Sequence, residues 1–205
     1  MIKGYAINQK RLDVLNKTIS IQSRMIASAL NIVEEVLNVV DAYSNALTLL
    51  DDYDHGTIPK PDGIASIYHL TYEECRELID SMRYGNFSDV FGVEKEQGKL
   101  NGIIAAVYQN VFGTELYPSI EEKAANLLYF WVKDHPFVDG CKRIGASVFL
   151  EFFNKNNHLI IDGKQIISDS ALVAITLMIV ESRPEEKETM VNLVMNFLKS
   201  EFCVN

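Results

Sequence analysis

Apolar residues recur at alternating spacings of three and four across residues 8–50, a stretch that contains neither glycine nor proline. Heptad-like spacing over this length predicts a long helix, or a helical hairpin, with a continuous apolar seam. The seam can pack along its own domain or pair with a second copy of the chain, and the pattern leaves both arrangements open. Residues 51–63 are rich in turn-forming side chains and predict a loop. We therefore divide the chain into a long helix with its linker, residues 1–63, and a domain of residues 64–205.

The domain that follows is predicted to be mainly helical. Thr71 and Glu74 have the spacing of a capping box, in which each side chain bonds the backbone amide of the other residue. Ser119, followed by two glutamates, is a second helix start with acidic residues where the helix dipole favours them. Strand patterns are short and lie near residues 58–70 and 159–161. The helical patterns cover residues 71–82, 100–111, 119–134, 142–155, 168–181 and 184–201.

Composition narrows the range of partners and locations. The chain has a formal net charge of −9, whereas a broad nucleic-acid-binding surface needs clustered Lys and Arg, so direct nucleic-acid binding is not expected. The three cysteines are widely spaced in the sequence and form no CxxC pair, so they make a poor disulfide framework and a poor zinc site, which fits a reducing compartment. The most apolar stretch, residues 171–180, is much shorter than the ~20 residues that a membrane-spanning helix needs. We expect a cytoplasmic protein that is not bound to a membrane.

Residues 135–143, His-Pro-Phe-Val-Asp-Gly-Cys-Lys-Arg, concentrate chemically active side chains between two predicted helices. The first turn of a helix has unpaired backbone N–H groups and the positive end of the helix dipole, which together form an anion site. Gly140 permits close approach of the backbone to a ligand, and Lys142 and Arg143 add positive charge beside it. This joint therefore predicts a phosphate-binding site.

Two further residues of the joint suit phosphate transfer. Histidine is the side chain whose ordinary pKa lies nearest neutrality, so His135 can accept a proton from an attacking hydroxyl. Asp139 is placed to hold Mg²⁺ between phosphates. A purely structural interpretation, with His135 capping one helix and Asp139 capping the next, explains each residue singly but does not explain their clustering.

The same nine residues resemble the Fic/Doc signature, in which His-x-Phe-x-Asp/Glu-Gly-Asn is followed by Gly or Lys and then by Arg. Lys142 is the form found in the Doc-like branch. Residues 117–137 and 171–187 also resemble the Fic/Doc domain at the end of RhuM-type virulence-associated proteins. The resemblance implies a mainly α fold, a Fic/Doc-like helical bundle with a short β-hairpin flap at about residues 112–118, preceded here by the long N-terminal helix.

The resemblance also implies a role for each residue of the motif. His135 would be the catalytic general base that acts on a Ser, Thr or Tyr hydroxyl of a target protein. Asp139 would bind Mg²⁺, and Phe137 would anchor the loop in the core. ATP, or another nucleotide, would be held through its phosphates by Gly140, Cys141, Lys142 and Arg143. The implied reaction is a transfer of AMP or phosphate that depends on Mg²⁺ and ATP, with a toxin-like role.

Two positions depart from the signature. Cys141 stands where the family has Asn, and a thiol is a weak hydrogen-bond donor. Losing one donor aimed at developing charge costs about 10²–10³ in rate in oxyanion-hole enzymes. Ala146 stands where the AMP-transferring branch has a second Arg, which together with Lys142 favours transfer of the terminal phosphate. The alternative function is a catalytically weakened Fic-fold protein that acts as a nucleotide-binding or protein-interaction module.

Regulation is predicted to come from outside the motif. Many members of the family carry an inhibitory Ser/Thr-x-x-x-Glu-Gly/Asn helix, and neither Ser147–Glu151 nor Ser182–Glu186 completes that pattern. We therefore expect restraint by a separate antitoxin or regulatory partner, or by the N-terminal helix. A homo-oligomer formed through the N-terminal helix is the other use of its apolar seam.

Overall fold

The structure is a computed structural model in which residues 43–83 and 88–200 are described. These residues divide after His55 into two compact units, and each unit is described by itself. In the first unit, helix α1 spans Ser44–Asp54 and has no buried residue. It continues past residue 50, so the predicted start of the loop is four residues too early. The part of the predicted apolar seam that precedes residue 43 lies outside the described residues.

The second unit is mainly helical with two short antiparallel hairpins, which confirms the predicted fold class. Among the described helices, none combines the length and the apolar character needed to span a bilayer. The elements of the unit, in chain order, are α2 (Tyr72–Arg83), α3 (Lys99–Val107), β1 (Asn110–Val111), β2 (Thr114–Glu115), α4 (Ile120–Asp134), α5 (Cys141–Lys155), β3 (Ile160–Ile161), β4 (Lys164–Gln165), α6 (Asp169–Glu181), a 3₁₀ turn (Pro184–Glu186) and α7 (Lys187–Ser200).

The two predicted helix starts are formed by the expected caps. Thr71 Oγ1 accepts a hydrogen bond from the Glu74 amide at 3.3 Å, and the Glu74 carboxylate accepts from the Thr71 amide at 3.0 Å. At the start of α4, Ser119 Oγ accepts from the Glu122 amide at 3.1 Å. A cap of this kind stabilises a helix by roughly 1 kcal/mol. Local sequence therefore determines where α2 and α4 begin.

Helix α4 is the central element of the second unit. It contacts α3, α5, α6 and α7, and its buried residues lie all around the helix rather than along one stripe. Trp131 is fully buried against Gly145 of α5, where an added Cβ would lie 3.2 Å from the Trp131 Cβ. Because Gly145 has no side chain, α4 and α5 approach each other closely. The end of α4 and the start of α5 are thereby held at fixed positions.

The hairpin β1–β2 replaces the last turn predicted for the helix of residues 100–111, and α3 ends four residues earlier. The turn residues Phe112 and Gly113 have φ angles of 52° and 83°, and positive values at both positions match the twist of a two-residue hairpin. Lys123 of α4, which is 2% exposed, forms a 2.7 Å ion pair with Glu115 in β2. The hairpin is therefore tied to the central helix by a buried charge.

The segment of residues 58–70, which the structure describes in full, forms no regular strand, contrary to the prediction. Its β-bridge joins Ala65 to the cap of α4. Pro59 and Pro61 lack the amide hydrogens that a strand ladder needs, which explains the difference. The strand predicted at residues 159–161 is confirmed as β3, which pairs with β4.

Candidate active site

The candidate site begins where α4 ends. The residue before a proline avoids the right-handed helical region, which ends the helix, and His135 has a left-handed backbone with φ 44° and ψ 59°. The predicted end of the helix at Asp134 is confirmed. The change of direction leaves His135 exposed, so its imidazole is accessible from solvent rather than packed in the interior.

The loop between α4 and α5 is anchored in the core. Phe137 is 1% exposed, and its ring lies 6.0 Å from the Trp131 ring, measured between centroids. The buried Cys141 thiol donates to the Phe137 carbonyl at 3.2 Å, which closes the loop. Val138, between these anchors, is exposed. The loop is therefore anchored in the core by Phe137 and Cys141, while Val138 between them faces solvent.

A segment that is distant in sequence, residues 91–95, pairs with the other side of this loop. Three backbone hydrogen bonds place the segment alongside residues 136–139 in a short, strand-like arrangement. The bonds run from the Gly92 amide to the Asp139 carbonyl (3.1 Å), from the Val138 amide to the Val93 carbonyl (2.9 Å), and from the Lys95 amide to the Pro136 carbonyl (2.9 Å). The loop is thus held from both sides, by α4 and by the 91–95 segment.

Gly140 lies directly against the ring of Phe91. Its φ angle is 92°, and an added Cβ would lie 2.7 Å from Phe91 Cδ2, so any side chain here would be strained and would clash. Phe91 is fully buried, and the Arg143 guanidinium lies over its ring, 4.7 Å from the centroid. A cation–π contact of this kind contributes ~0.5–1 kcal/mol at an exposed site. Phe91 therefore helps to set both the turn into α5 and the position of Arg143.

These elements border an open pocket of about 320 Å³. Such a volume is at the lower end of the ~300–1,000 Å³ of small-molecule sites. All six site residues predicted from the sequence line this one pocket, so the structure brings them together. The complete lining consists of Lys95, His135, Phe137, Val138, Asp139, Gly140, Cys141, Lys142 and Arg143.

Helix α5 begins at this pocket without a side-chain cap. Its N-cap, Gly140, has no side chain that could accept from the amides of the first turn. A bound anion can take that place, and the helix dipole favours it. The Cys141 thiol is bonded to the Phe137 carbonyl. The group of Cys141 that is placed to bind an anion is consequently its backbone amide.

The environment of His135 favours the neutral imidazole. Partial burial, together with the positive charges of Lys95, Lys142, Lys133 and Lys99, lowers the pKa of His135 below its ordinary value of 6.5. Among the described residues, none forms a hydrogen bond with the imidazole. At neutral pH the ring is therefore uncharged and can accept a proton from a bound substrate.

The pocket carries local positive charge in a chain whose net charge is −9. Lys133 donates to the carbonyls of Val180, at 3.0 Å, and of Ser182, and so is bonded to the end of α6. Lys95 and Lys142 line the pocket, and in the part of the chain that the structure describes neither forms an ion pair. Their charges are available to an anionic ligand.

Asp139 is the carboxylate of the pocket. It lies 3.4 Å from an Arg143 nitrogen, and both side chains are partly exposed, so the pair contributes only ~0–1 kcal/mol. Over residues 43–83 and 88–200, no three His, Cys, Asp or Glu side chains group into a metal site. Mg²⁺ commonly uses one or two carboxylates and takes its other ligands from water and phosphates. Asp139 therefore fits Mg²⁺ that enters with a nucleotide.

Sequence reasoning does not find Phe91 and Lys95 as site residues. They precede the motif by a long interval, and a single basic or aromatic residue in a loop has no distinguishing pattern. They reach the pocket because the 91–95 segment pairs with the loop, and that pairing depends on the tertiary structure. No local signal in the sequence could have identified them.

Replacing Gly140 with Ala is expected to lower the free energy of unfolding by roughly 2–5 kcal/mol. The left-handed backbone costs roughly 1–2 kcal/mol for any L side chain, and the clash with Phe91 adds roughly 1–3 kcal/mol. Gly98→Ala is the matched control, because Gly98 is also a helix N-cap, has a φ of 86°, and has nothing within 4 Å of an added Cβ. Urea unfolding followed by circular dichroism measures both changes, and equal losses would contradict the proposed clash.

Comparison with known proteins gives a family match for the segment that contains the pocket. The family model described as Fic/DOC family matches residues 59–153, which include α4, α5 and every residue that lines the pocket. Comparisons with curated proteins and with solved structures gave no match. The signature in residues 135–143 lies inside the matched segment, and over residues 59–153 the chain is similar to the Fic/DOC family.

Proposed function

We propose that the pocket binds ATP with Mg²⁺ and that the protein transfers AMP or phosphate to a hydroxyl of a target protein. The Fic/DOC family is associated with AMP transfer and related group transfers in general. The observation that carries the proposal is an exposed imidazole in the same pocket as an uncapped helix start and several cations, which lower its pKa. One pocket thus combines a base with an anion site.

His135 is the general base of the proposed reaction. The oxygen of a target Ser, Thr or Tyr hydroxyl attacks one phosphorus of ATP, and the hydroxyl proton passes to the imidazole. The bond from that phosphorus to its bridging oxygen breaks, and the leaving group takes the electron pair. Attack at the α-phosphorus releases pyrophosphate, and attack at the γ-phosphorus releases ADP. A positioned base typically contributes about 10²–10⁴ in rate.

The remaining motif residues bind and orient the nucleotide. The backbone at Gly140 and Cys141 donates to a phosphate, and Lys142 and Arg143 neutralise phosphate charge. Asp139 would hold Mg²⁺, which supplies positive charge to the phosphate oxygens. Because its ion pair with Arg143 is partly exposed and weak, Asp139 can exchange that partner for the metal at low cost.

The hairpin β1–β2 is the proposed docking edge for the target protein. It lies at residues 110–115, close to the flap expected at about residues 112–118. Both its strands are exposed, as is Phe112 at its turn. An extended target segment can add to such an edge through backbone hydrogen bonds, which place little demand on side chains.

A catalytically weakened module is the second candidate function, and the placement of Cys141 is the observation that favours it. Its thiol is buried and is bonded to the Phe137 carbonyl, so its side chain gives no strong donor to a phosphate. On this hypothesis the pocket binds a nucleotide without turning it over at a useful rate. The toxin-like role and restraint by an antitoxin or other regulatory partner belong to the first candidate and stay predictions.

His135→Ala is expected to reduce transfer by about 10²-fold or more, because it removes the base. The measurement is incorporation of label from ATP into proteins of a lysate of the source cells, with α-label and γ-label in separate reactions. The α-label reports AMP transfer and the γ-label reports phosphorylation. His55→Ala is the matched control, since His55 is exposed at the end of α1 and outside the pocket.

Binding of ATP by the purified protein is measured alongside the labelling. If the natural protein binds ATP but neither label reaches any protein, the transferase proposal is wrong. If His55→Ala and His135→Ala lose label equally, the loss does not report on the base.

The pKa values of two histidines are expected to depart from 6.5 in opposite directions. Partial burial and the nearby lysines lower the pKa of His135, whereas hydrogen bonding to the Asp51 backbone and the nearby Asp51 charge raise the pKa of His55. Bound triphosphate should raise the pKa of His135, because its negative charge offsets the lysines, and should leave His55 unchanged.

An NMR titration of the imidazole signals from about pH 5 to about pH 8 measures both values, with and without a non-hydrolysable ATP analogue and Mg²⁺. His55 serves as the internal control, because any general effect of the analogue or of salt acts on both rings. A His135 pKa above that of His55 in the free protein would contradict the described charge environment.

Cys141→Asn is expected to increase the labelling rate, by up to about 10²–10³, because an amide donor is added beside the phosphate site. Cys141→Ser is the matched control, since a hydroxyl can still donate to the Phe137 carbonyl but adds no amide. Unchanged labelling in Cys141→Asn, with the fold intact by circular dichroism, would show that no donor is missing. Labelling that appears only in Cys141→Asn would favour the weakened module.

A further inference from the structure

The positive charge of the pocket extends beyond the motif, and we propose that Lys95 is a further phosphate-binding residue that contacts the phosphoryl group under attack. This inference rests on the proposed function, since it assigns an additional contact to the same ligand. It concerns a residue that lies outside the signature and was not found by sequence reasoning. Its basis is the position of Lys95, its charge, and the absence of a competing partner among the described residues.

The backbone fixes Lys95 beside the loop. Its amide donates to the carbonyl of Pro136, the residue next to His135, at 2.9 Å. This bond is one of the three that pair the 91–95 segment with the loop, and the fully buried Phe91 anchors the other end of the segment. Lys95 is therefore positioned by main-chain contacts, while its side chain is exposed and lines the pocket.

Among the described residues, no neighbouring carboxylate forms an ion pair with Lys95. Glu94, one of the two glutamates that flank Lys95, accepts from the Tyr72 hydroxyl at 3.2 Å and from the Leu100 amide at 3.4 Å. Its carboxylate is therefore bonded to α2 and α3. The other glutamate, Glu96, forms no ion pair with Lys95. Within the described ranges Lys95 forms no ion pair. A lysine that lines a pocket without a protein partner is suited to an anion from outside.

The location of Lys95 relative to the base identifies which phosphate it would contact. Lys95 lines the same pocket as the His135 imidazole, and its backbone is bonded to Pro136, the residue next to His135. The phosphorus under attack must lie beside that imidazole, because His135 takes the proton of the attacking hydroxyl. Lys95 is thus placed to donate to non-bridging oxygens of the same phosphoryl group, whose charge changes in the transition state.

Lys95→Met tests this contact on the full chain. We expect it to weaken binding of both Mg²⁺–ATP and inorganic tripolyphosphate by about tenfold, because a hydrogen bond to a charged group is lost. The two ligands should lose affinity by the same factor, since the contact is to phosphate and not to the nucleoside. Isothermal titration calorimetry gives both dissociation constants, and Lys95→Arg should stay within about threefold of the natural protein because it keeps the charge.

Lys99→Met is the matched control. It removes the same charge from a nearby residue that also acts on His135 but does not line the pocket, so it should change affinity by less than about threefold. Circular dichroism verifies folding of each variant.

Three results would overturn the inference. The first is unchanged binding in Lys95→Met, and the second is an equal loss in Lys95→Met and Lys99→Met, which would indicate a general field and no contact. In both cases the natural protein still binds the ligands, so the proposed function stands. If the natural protein binds neither Mg²⁺–ATP nor tripolyphosphate, the proposed function is wrong and the inference is wrong with it.

Discussion

The contact between Phe91 and Gly140 is the constraint on which the pocket depends. Gly140 needs a left-handed backbone to turn the chain into α5, and it needs an empty position where Phe91 can pack. The same Phe91 ring supports Arg143 and anchors the 91–95 segment, which pairs with the loop. One aromatic ring thus links the turn, a cation and the pairing. Glycine at position 140 allows this arrangement, because any side chain there would occupy the space of the Phe91 ring.

The fixed positions of the pocket residues matter because the proposed reaction depends on charges and hydrogen-bond donors being correctly placed. If the pocket binds phosphate as proposed, it would work through charge and donor groups that are already in place when the ligand arrives, which avoids the cost of ordering them during binding or reaction. The close packing of α4 on α5 at Gly145 provides this rigidity for the helix ends. The chain as a whole is acidic, so the lysines that line the pocket are a local exception to its overall charge.

The sequence predicted most of this fold and most of the pocket, for an identifiable reason. Helix starts such as Ser119 depend on side chains within one turn, and the signature residues lie on one continuous loop, so their proximity is guaranteed by the chain itself. Lys95 could not be predicted as a site residue, because it is brought close to the motif by pairing between segments that are distant in sequence. The predicted end of α3 at residue 111 is wrong. Residues 110–111 are compatible with either a helix or a hairpin, and in the structure they pair with residues 114–115.

The ion pair between Lys123 and Glu115 has a consequence for how any extended peptide meets the hairpin. Displacing β2 would leave the buried Lys123 ammonium without its partner, and an uncompensated buried charge costs several kcal/mol. The pair accordingly opposes movement of β2 away from α4. If a target peptide adds to this edge as proposed, it would have to fit a hairpin held in that position, and a flexible segment could do so more easily than a structured one.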